Sequence, residues 1–163
     1  MNSEILEHYG GRIRVRVCGV LIENEHILLA KHEGIGDKDI LWIPPGGGLE
    51  VGETIVECLT REFEEETNLV VEVGDFLCAN EFINGSLHAL ELFFIVKRKS
   101  GMLKMGIDPE FSEESQIIKE VRMMSFKELP EVDSECLHWV VRNSRNSAEL
   151  FNRQGLFNFQ NNA

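Results

Sequence analysis

Carboxylates are concentrated in one short stretch of the sequence, where seven glutamates accompany a single basic side chain, Arg61. Like charges one helical turn apart repel each other, so a helix gains no stability from such a run. Carboxylates near an apolar core are costly unless they are protonated, paired or bound to a cation, and one arginine cannot neutralise several of them. A hard divalent cation fits best, so Mg²⁺ or Mn²⁺ is the expected cofactor. The seven glutamates are Glu50, Glu53, Glu57, Glu62, Glu64, Glu65 and Glu66.

The apolar spacing predicts a helix here, with three of the glutamates near its buried side. Ile55, Leu59 and Phe63 recur at i, i+4 and i+8, with Val56 beside them, and form an apolar stripe. A helix turns about 100° per residue, so the acidic side chains divide between this stripe and water. Glu62 and Glu66 fall on the stripe side and Glu65 on its flank, whereas Glu57 and Glu64 face solvent.

Local signals also predict where this helix begins and ends. Thr54 followed by Glu57 is a capping-box pattern, which satisfies free N–H groups of the first turn. The preceding residues 44–48, two prolines and three glycines, predict a rigid loop that leads into the helix. Asn68 suits the end of the helix, because asparagine tolerates the left-handed conformation that often stops one.

Residues 47–69 resemble the Nudix box, GX5EX7REUXEEXGU, in which U is a bulky apolar residue. The single departure is Asn68, where the family has glycine. Many fixed positions over 23 residues make this a specific signal. An acidic solvated helix after a turn is the alternative, and it explains neither the glycine loop nor the inward-facing glutamates. The matching residues are Gly47, Glu53, Arg61, Glu62, Phe63, Glu65, Glu66 and Leu69.

The resemblance implies a metal-dependent hydrolase that cleaves a nucleoside diphosphate linked to another group, X, by attack of water on phosphorus. A nucleoside triphosphate or a small NDP-X compound is the expected substrate. The alternative is a sensor or regulator that keeps the Nudix fold and binds nucleotide without cleaving it. Such proteins usually lose box glutamates, and this sequence retains them all.

Roles within the box follow from the same resemblance. Glu62 and Glu66 are the expected metal ligands, with Glu65 as a further ligand or as the base that orients water. The Gly46 carbonyl is another expected ligand, because a loop without side chains lets a backbone oxygen approach an ion. Three further residues are expected to be structural, with the arginine pairing to the first glutamate: Gly47, Glu53 and Arg61.

A second base is expected outside the box, since many Nudix enzymes take a glutamate from a later loop. Residues 99–119 form a long polar stretch, and long loops in compact domains are usually functional or mobile. Glu113 is the predicted catalytic base, with Glu114 and Glu120 as the other candidates. Plain surface charge is the alternative for each of them.

Substrate contacts are predicted at four positions. Arg14 and Arg16 suit bidentate recognition of phosphate, and a solvated strand face is the alternative. Trp42 and Phe82 could stack on a base, and core packing is the alternative.

Composition and charge narrow the class of protein. The chain has 163 residues and a net charge of −12, which argues against polymeric nucleic acid and anionic membranes as partners. The sequence contains no run of 18 apolar residues and its first residues lack a signal-peptide core. Four cysteines without CxxC spacing predict free thiols in a reducing cytoplasm.

The order of predicted elements is strands, a helix, more strands and a last helix at 135–143. This order predicts an α/β fold, and the resemblance specifies a Nudix-type α/β/α sandwich with a mixed β-sheet between helices. We expect a lead-in at residues 1–11, the Nudix domain at 12–145 and a tail at 146–163. The tail is expected to dock on the domain or on a second subunit of a homodimer.

Overall fold

The computed structural model describes residues 10–36, 38–106 and 116–158. Within them the chain forms eight β-strands, two α-helices and two short 3₁₀ turns at Leu129–Glu131 and Ser134–Cys136. The strands are β1 (Ile13–Glu23), β2 (His26–Glu33), β3 (Ile40–Ile43), β4 (Gly46–Gly48), β5 (Leu69–Asn84), β6 (Leu87–Gly101), β7 (Ile118–Ser125) and β8 (Gly155–Phe157). The helices are α1 (Ile55–Thr67) and α2 (Ser147–Phe151).

The strands form a mixed sheet, as predicted. Its order is β3-β2-β1-β6-β5-β8, with β4 paired to β1 and β7 paired to β2. The β1–β6 and β5–β8 pairs are parallel and the others are antiparallel. Strand β1 therefore lies between the glycine strand β4 and the long strand β6.

Helical segments cover the sheet on both faces, which confirms the predicted α/β/α class. Helix α1 packs its Leu59 and Phe63 on one face, where Val17 and Leu21 belong to the same buried cluster. Gly19 lets the helix approach closely, because a Cβ there would lie 2.4 Å from the Phe63 ring. The other face is covered by residues 126–141 and by α2.

The predicted helix at 135–143 is wrong. The 3₁₀ turn Ser134–Cys136 forms instead, capped by the Asp133 side chain, which accepts from the backbone N–H of Glu135, and residues 139–143 form turns that do not continue into a helix. Leu137 then bridges to Trp42, and the His138 N–H donates to the Trp42 carbonyl at 2.9 Å. These bonds to the β3 edge replace helical ones, a case of tertiary contacts overriding local preference.

Residues 146–158 lie against the domain. Leu150 of α2 is fully buried, and β8 extends the sheet beside β5. The Phe157 ring lies 5.1 Å from that of Trp139, measured between centroids. Across the part of the chain that the structure describes, no helix is long and apolar enough to cross a membrane.

Candidate active site

Helix α1 begins and ends where the local signals predict. The Thr54 side chain accepts from the Glu57 N–H, and the Glu57 carboxylate accepts from the Thr54 N–H, which completes the capping box. Asn68 adopts the left-handed conformation with φ of 58°. One detail of the stripe is wrong: Val56 is 55% exposed, and Cys58 is the residue buried beside Leu59.

Two of the box glutamates lie against the glycine loop, and their side chains are largely removed from solvent. Glu66 is 4% exposed, and its Oε2 accepts from the Gly46 N–H at 3.0 Å. The Glu62 side chain is 13% exposed and faces Gly47, where a Cβ would lie 2.2 Å from its Oε1. The absent side chain at Gly47 therefore leaves the space that the Glu62 carboxylate fills.

Arg61 ties the loop to the helix. Its Nε donates to Glu53 at 2.8 Å, its Nη2 donates to the same carboxylate at 3.1 Å, and Nη2 also lies 3.3 Å from the Gly48 carbonyl. The Nη1 donates to Glu62 at 2.8 Å and to Glu65 at 3.3 Å. One guanidinium thus spans three carboxylates and holds the loop in register with α1.

A second cation near these carboxylates, Arg16, has contacts that the sequence did not indicate. Its Nη2 donates to the Gly46 carbonyl at 3.2 Å, and its buried Nε has no hydrogen-bond partner within the described residues. Burial lowers the pKa of Arg16, but the charges of Cys18, Glu91, Glu66 and Glu62 outweigh it, so the net shift is upward. Arg16 therefore remains a full positive charge beside the loop.

The Glu62 carboxyl is a weak acid in this environment. Burial raises its pKa to about 7, Glu65 adds to the rise, and the positive charges of Arg61 and Arg16 only partly oppose it. An ionised Glu62 is therefore short of favourable partners. A bound divalent cation would supply what is missing.

The donor chemistry of this cluster fits a hard divalent cation, since it consists of the Glu62 and Glu66 carboxylates against the glycine loop and the Gly46 carbonyl of that loop. The structure does not bring the three glutamates together at one point, although the sequence predicted that they converge. In residues 10–36, 38–106 and 116–158, no three His, Cys, Asp or Glu side chains lie close enough together to hold a metal ion. The reason is visible in the contacts: Glu62 and Glu65 both face Arg61, whereas Glu66 faces Gly46.

A second buried polar cluster lies on the sheet. Glu91 of β6 is 6% exposed, and its Oε2 lies 2.8 Å from Asn80 Nδ2 and 3.0 Å from His138 Nε2. It is also the register partner of Arg16 on β1. Burial raises the pKa of Glu91, but His138, Arg16 and Asn80 outweigh it and lower the pKa to about 2. The sequence signal that could have revealed this cluster is Glu91 itself, a single acidic residue within an apolar strand.

The predicted substrate residues lie in different settings. Arg14 and Arg16 lie on β1, beside the glycine strand β4. Phe82 is half-buried on β5. Trp42 is 7% exposed in the core, with the Arg122 guanidinium 5.2 Å from its ring centroid, so it offers no open face for stacking.

The candidates for an outer base are only partly described. Glu113 and Glu114 lie outside the described residues. Glu120 is exposed at the β7 edge, and its carboxylate pairs with Arg122 at 3.5 Å. Glu120 therefore has the contacts of an ordinary surface charge.

With this geometry, comparison with known proteins establishes the class. A family model described as NUDIX domain matches residues 12–140. The chain belongs to this family. It is 33% identical over 101 residues to an ADP-ribose pyrophosphatase of Methanocaldococcus jannaschii, covering 61% of this chain and 59% of that protein. It is 26% identical over 150 residues to the nucleoside triphosphatase NudI of an Enterobacter species, covering 85% and 89%.

Solved structures agree on the fold. A NUDIX hydrolase from Nitrosomonas europaea superposes with a TM-score of 0.65 at 20% identity, covering 80% of this chain and 84% of that one. The chain spans less than two thirds of the length of the M. jannaschii relative.

Proposed function

We propose that this protein hydrolyses a phosphoric anhydride bond in a small nucleotide, either a nucleoside triphosphate or an NDP-X compound, with Mg²⁺ or Mn²⁺ as cofactor. The observation that carries the proposal is the pair of carboxylates of Glu66, which is buried, and Glu62, whose side chain is 13% exposed, set against a side-chain-free loop. Two relatives support the same class of reaction, since one is named a pyrophosphatase and the other a nucleoside triphosphatase.

Glu62, Glu66 and the Gly46 carbonyl would hold the metal, with Glu65 at the flank as a further ligand or as the group that orients water. When bound, the metal neutralises the pyrophosphate charge and lowers the pKa of a bound water. Arg61 would position the metal ligands rather than bind the metal, because it fixes the loop that carries Glu53 against α1.

Substrate would meet the protein beside β1, where Arg14 and Arg16 carry positive charge in a strongly acidic chain. Phe82, half-buried on β5, is the proposed aromatic contact for the base. Glu113 stays the proposed second base. The four free thiols at Cys18, Cys58, Cys78 and Cys136 support a reducing compartment.

The test is a panel of nucleotides that includes ADP-ribose, the common nucleoside triphosphates and 8-oxo-dGDP, incubated with Mg²⁺ or Mn²⁺ and analysed by product mass. We expect cleavage within the phosphate chain of at least one compound, abolished by chelator and increasing toward alkaline pH. Nucleotides that raise the melting temperature but are never cleaved would instead indicate a binding protein.

A further inference from the structure

Gly46 is a junction between two groups of opposite charge. Its N–H donates to Glu66, and its carbonyl accepts from Arg16. The carbonyl that would face a metal ion is therefore in contact with a cation of the protein itself. Residue 46 also cannot be altered easily, because a Cβ there would lie 2.0 Å from the Val17 carbonyl.

Arg16 is attracted from two directions. On one side are Gly46 and the glutamates of α1; on the other is Glu91, its partner across the parallel β1–β6 register. Glu91 does not move freely, because Asn80 and His138 both hydrogen-bond to it. The Nε of Arg16 lacks a partner among the described residues, so the guanidinium is incompletely satisfied where it lies.

From this arrangement we propose that Arg16 is an internal counter-cation of the metal loop, which competes with the divalent cation and withdraws toward Glu91 when that cation binds. The inference rests on the proposed metal site. Two positive charges cannot share the Gly46 carbonyl without strong repulsion in a partly buried site. Glu91, already held by two donors, offers Arg16 a fixed carboxylate one strand away.

The proposal predicts that removal of a positive charge tightens metal binding in the absence of nucleotide. Arg16→Gln should lower the Kd for Mn²⁺ at least fivefold, measured from the free-ion signal in electron paramagnetic resonance. The matched control is Lys127→Gln, which removes the same charge at an exposed turn and should change the Kd less than twofold. Unchanged or weaker binding by the Arg16 variant would overturn the proposal.

A double-mutant cycle tests the withdrawal toward Glu91. Glu91→Gln should weaken Mn²⁺ binding at least threefold in the parent, because Arg16 loses its alternative partner. In the Arg16→Gln background the same change should have almost no effect. An equal effect in both backgrounds would reflect only the long-range charge of Glu91 and would contradict the withdrawal.

The unmodified protein provides an independent test if these variants fold poorly. Titration with Mg²⁺ should shift the Nε–H resonance of Arg16, assigned by its loss in Arg16→Lys, until the site saturates. The Arg98 resonance should stay constant, because that side chain pairs with Glu23. Saturable Mg²⁺ binding without an Arg16 shift would refute this inference alone, whereas no metal binding by the parent would refute the proposed function.

Discussion

The carboxylates of Glu62 on α1 and Glu91 on β6 are both largely removed from solvent, yet their acid strengths differ by several pKa units. The pKa of Glu62 is raised to about 7 and that of Glu91 is lowered to about 2. Glu91 accepts from two side chains held in place by the fold. Glu62 shares one guanidinium with two other carboxylates.

Burial by itself therefore does not distinguish a structural carboxylate from a functional one. Glu91 has its donors supplied by the protein and is expected to stabilise the fold. Glu62 lacks a comparable set of donors. A carboxylate beside a loop with few donors of its own is a candidate for binding a ligand. The following experiments on these carboxylates and on Glu66 test this contrast.

The largest effect on turnover is expected for Glu66→Gln. The amide keeps the shape of the side chain and can still accept from Gly46, but it removes a charged metal ligand. Turnover should fall at least a hundredfold, equal to about 2.7 kcal/mol of transition-state stabilisation. Turnover is measured as the rate of product formation at saturating Mg²⁺. The control is Glu64→Gln, which changes an exposed glutamate of the same helix. A loss below tenfold would remove Glu66 from the proposed site.

Glu91→Gln should have its main effect on stability. The amide removes the charge of a buried carboxylate that is hydrogen-bonded to Asn80 and His138 and lies opposite Arg16, so we expect the free energy of unfolding to drop by about 3 kcal/mol. Glu62→Gln, measured by denaturant unfolding in chelator, should leave stability unchanged or raise it. If Glu62→Gln lost as much stability as Glu91→Gln, the contrast between the two carboxylates would be wrong.

The pH dependence of stability should have opposite signs at the two sites. The pKa of Glu62 is raised from 4.5 to about 7, so its favourable contribution is complete below pH 4.5 and is lost as the pH rises through 7. Parent and Glu62→Gln proteins in chelator should therefore match near pH 4.5, and the variant should be more stable by about 3 kcal/mol at pH 8. Parallel stability curves would show that Glu62 does not titrate in this range.

Glu91 provides the reverse case. Because its pKa is lowered from 4.5 to about 2, its contribution is present above pH 4.5 and is lost as the pH falls through 2. The stability difference between parent and Glu91→Gln should shrink over that acidic interval, followed by denaturant unfolding at each pH. A difference that stays constant down to pH 2 would mean that the carboxylate is not the stabilising group.

The smallest effect is expected for Asn68→Gly, which restores the family residue. Glycine favours the left-handed conformation, but the Asn68 Nδ2 donates to the Met102 carbonyl at 3.0 Å, a contact that glycine loses. These opposing effects should leave stability within about 1 kcal/mol and turnover within a few-fold. Thermal melting and steady-state kinetics measure both. A large loss of turnover would give Asn68 a part in the site.

The sequence predicted the features that depend on neighbours along the chain. Thr54, Glu57 and Asn68 set the ends of α1 through local hydrogen bonds and backbone preference. The inward placement of Glu62 and Glu66 follows from helical periodicity alone. These rules need no knowledge of the rest of the fold.

The features that were missed depend on partners distant in the sequence. Arg16 contacts the loop because β1 pairs with β4, and it faces Glu91 because β1 also pairs with β6. Residues 135–143 carry helix-like spacing, but the β3 edge offers Trp42 as a backbone partner. The periodicity of apolar residues does not specify which strands become neighbours. Neither the contacts of Arg16 nor the absence of a helix at 135–143 could therefore be predicted from the sequence pattern.

The two arginines of the site differ in how far along the chain their partners lie, and this difference affects the expected order of folding. Arg61 is 8 residues from Glu53, whereas Arg16 is 30 residues from Gly46 and farther still from Glu91. Short loops close at lower entropic cost and distant contacts form later. We therefore expect the acidic helix to form with one guanidinium in place and the docking of β1 to bring the second. Substitutions at Arg61 should consequently slow refolding, and those at Arg16 should chiefly accelerate unfolding.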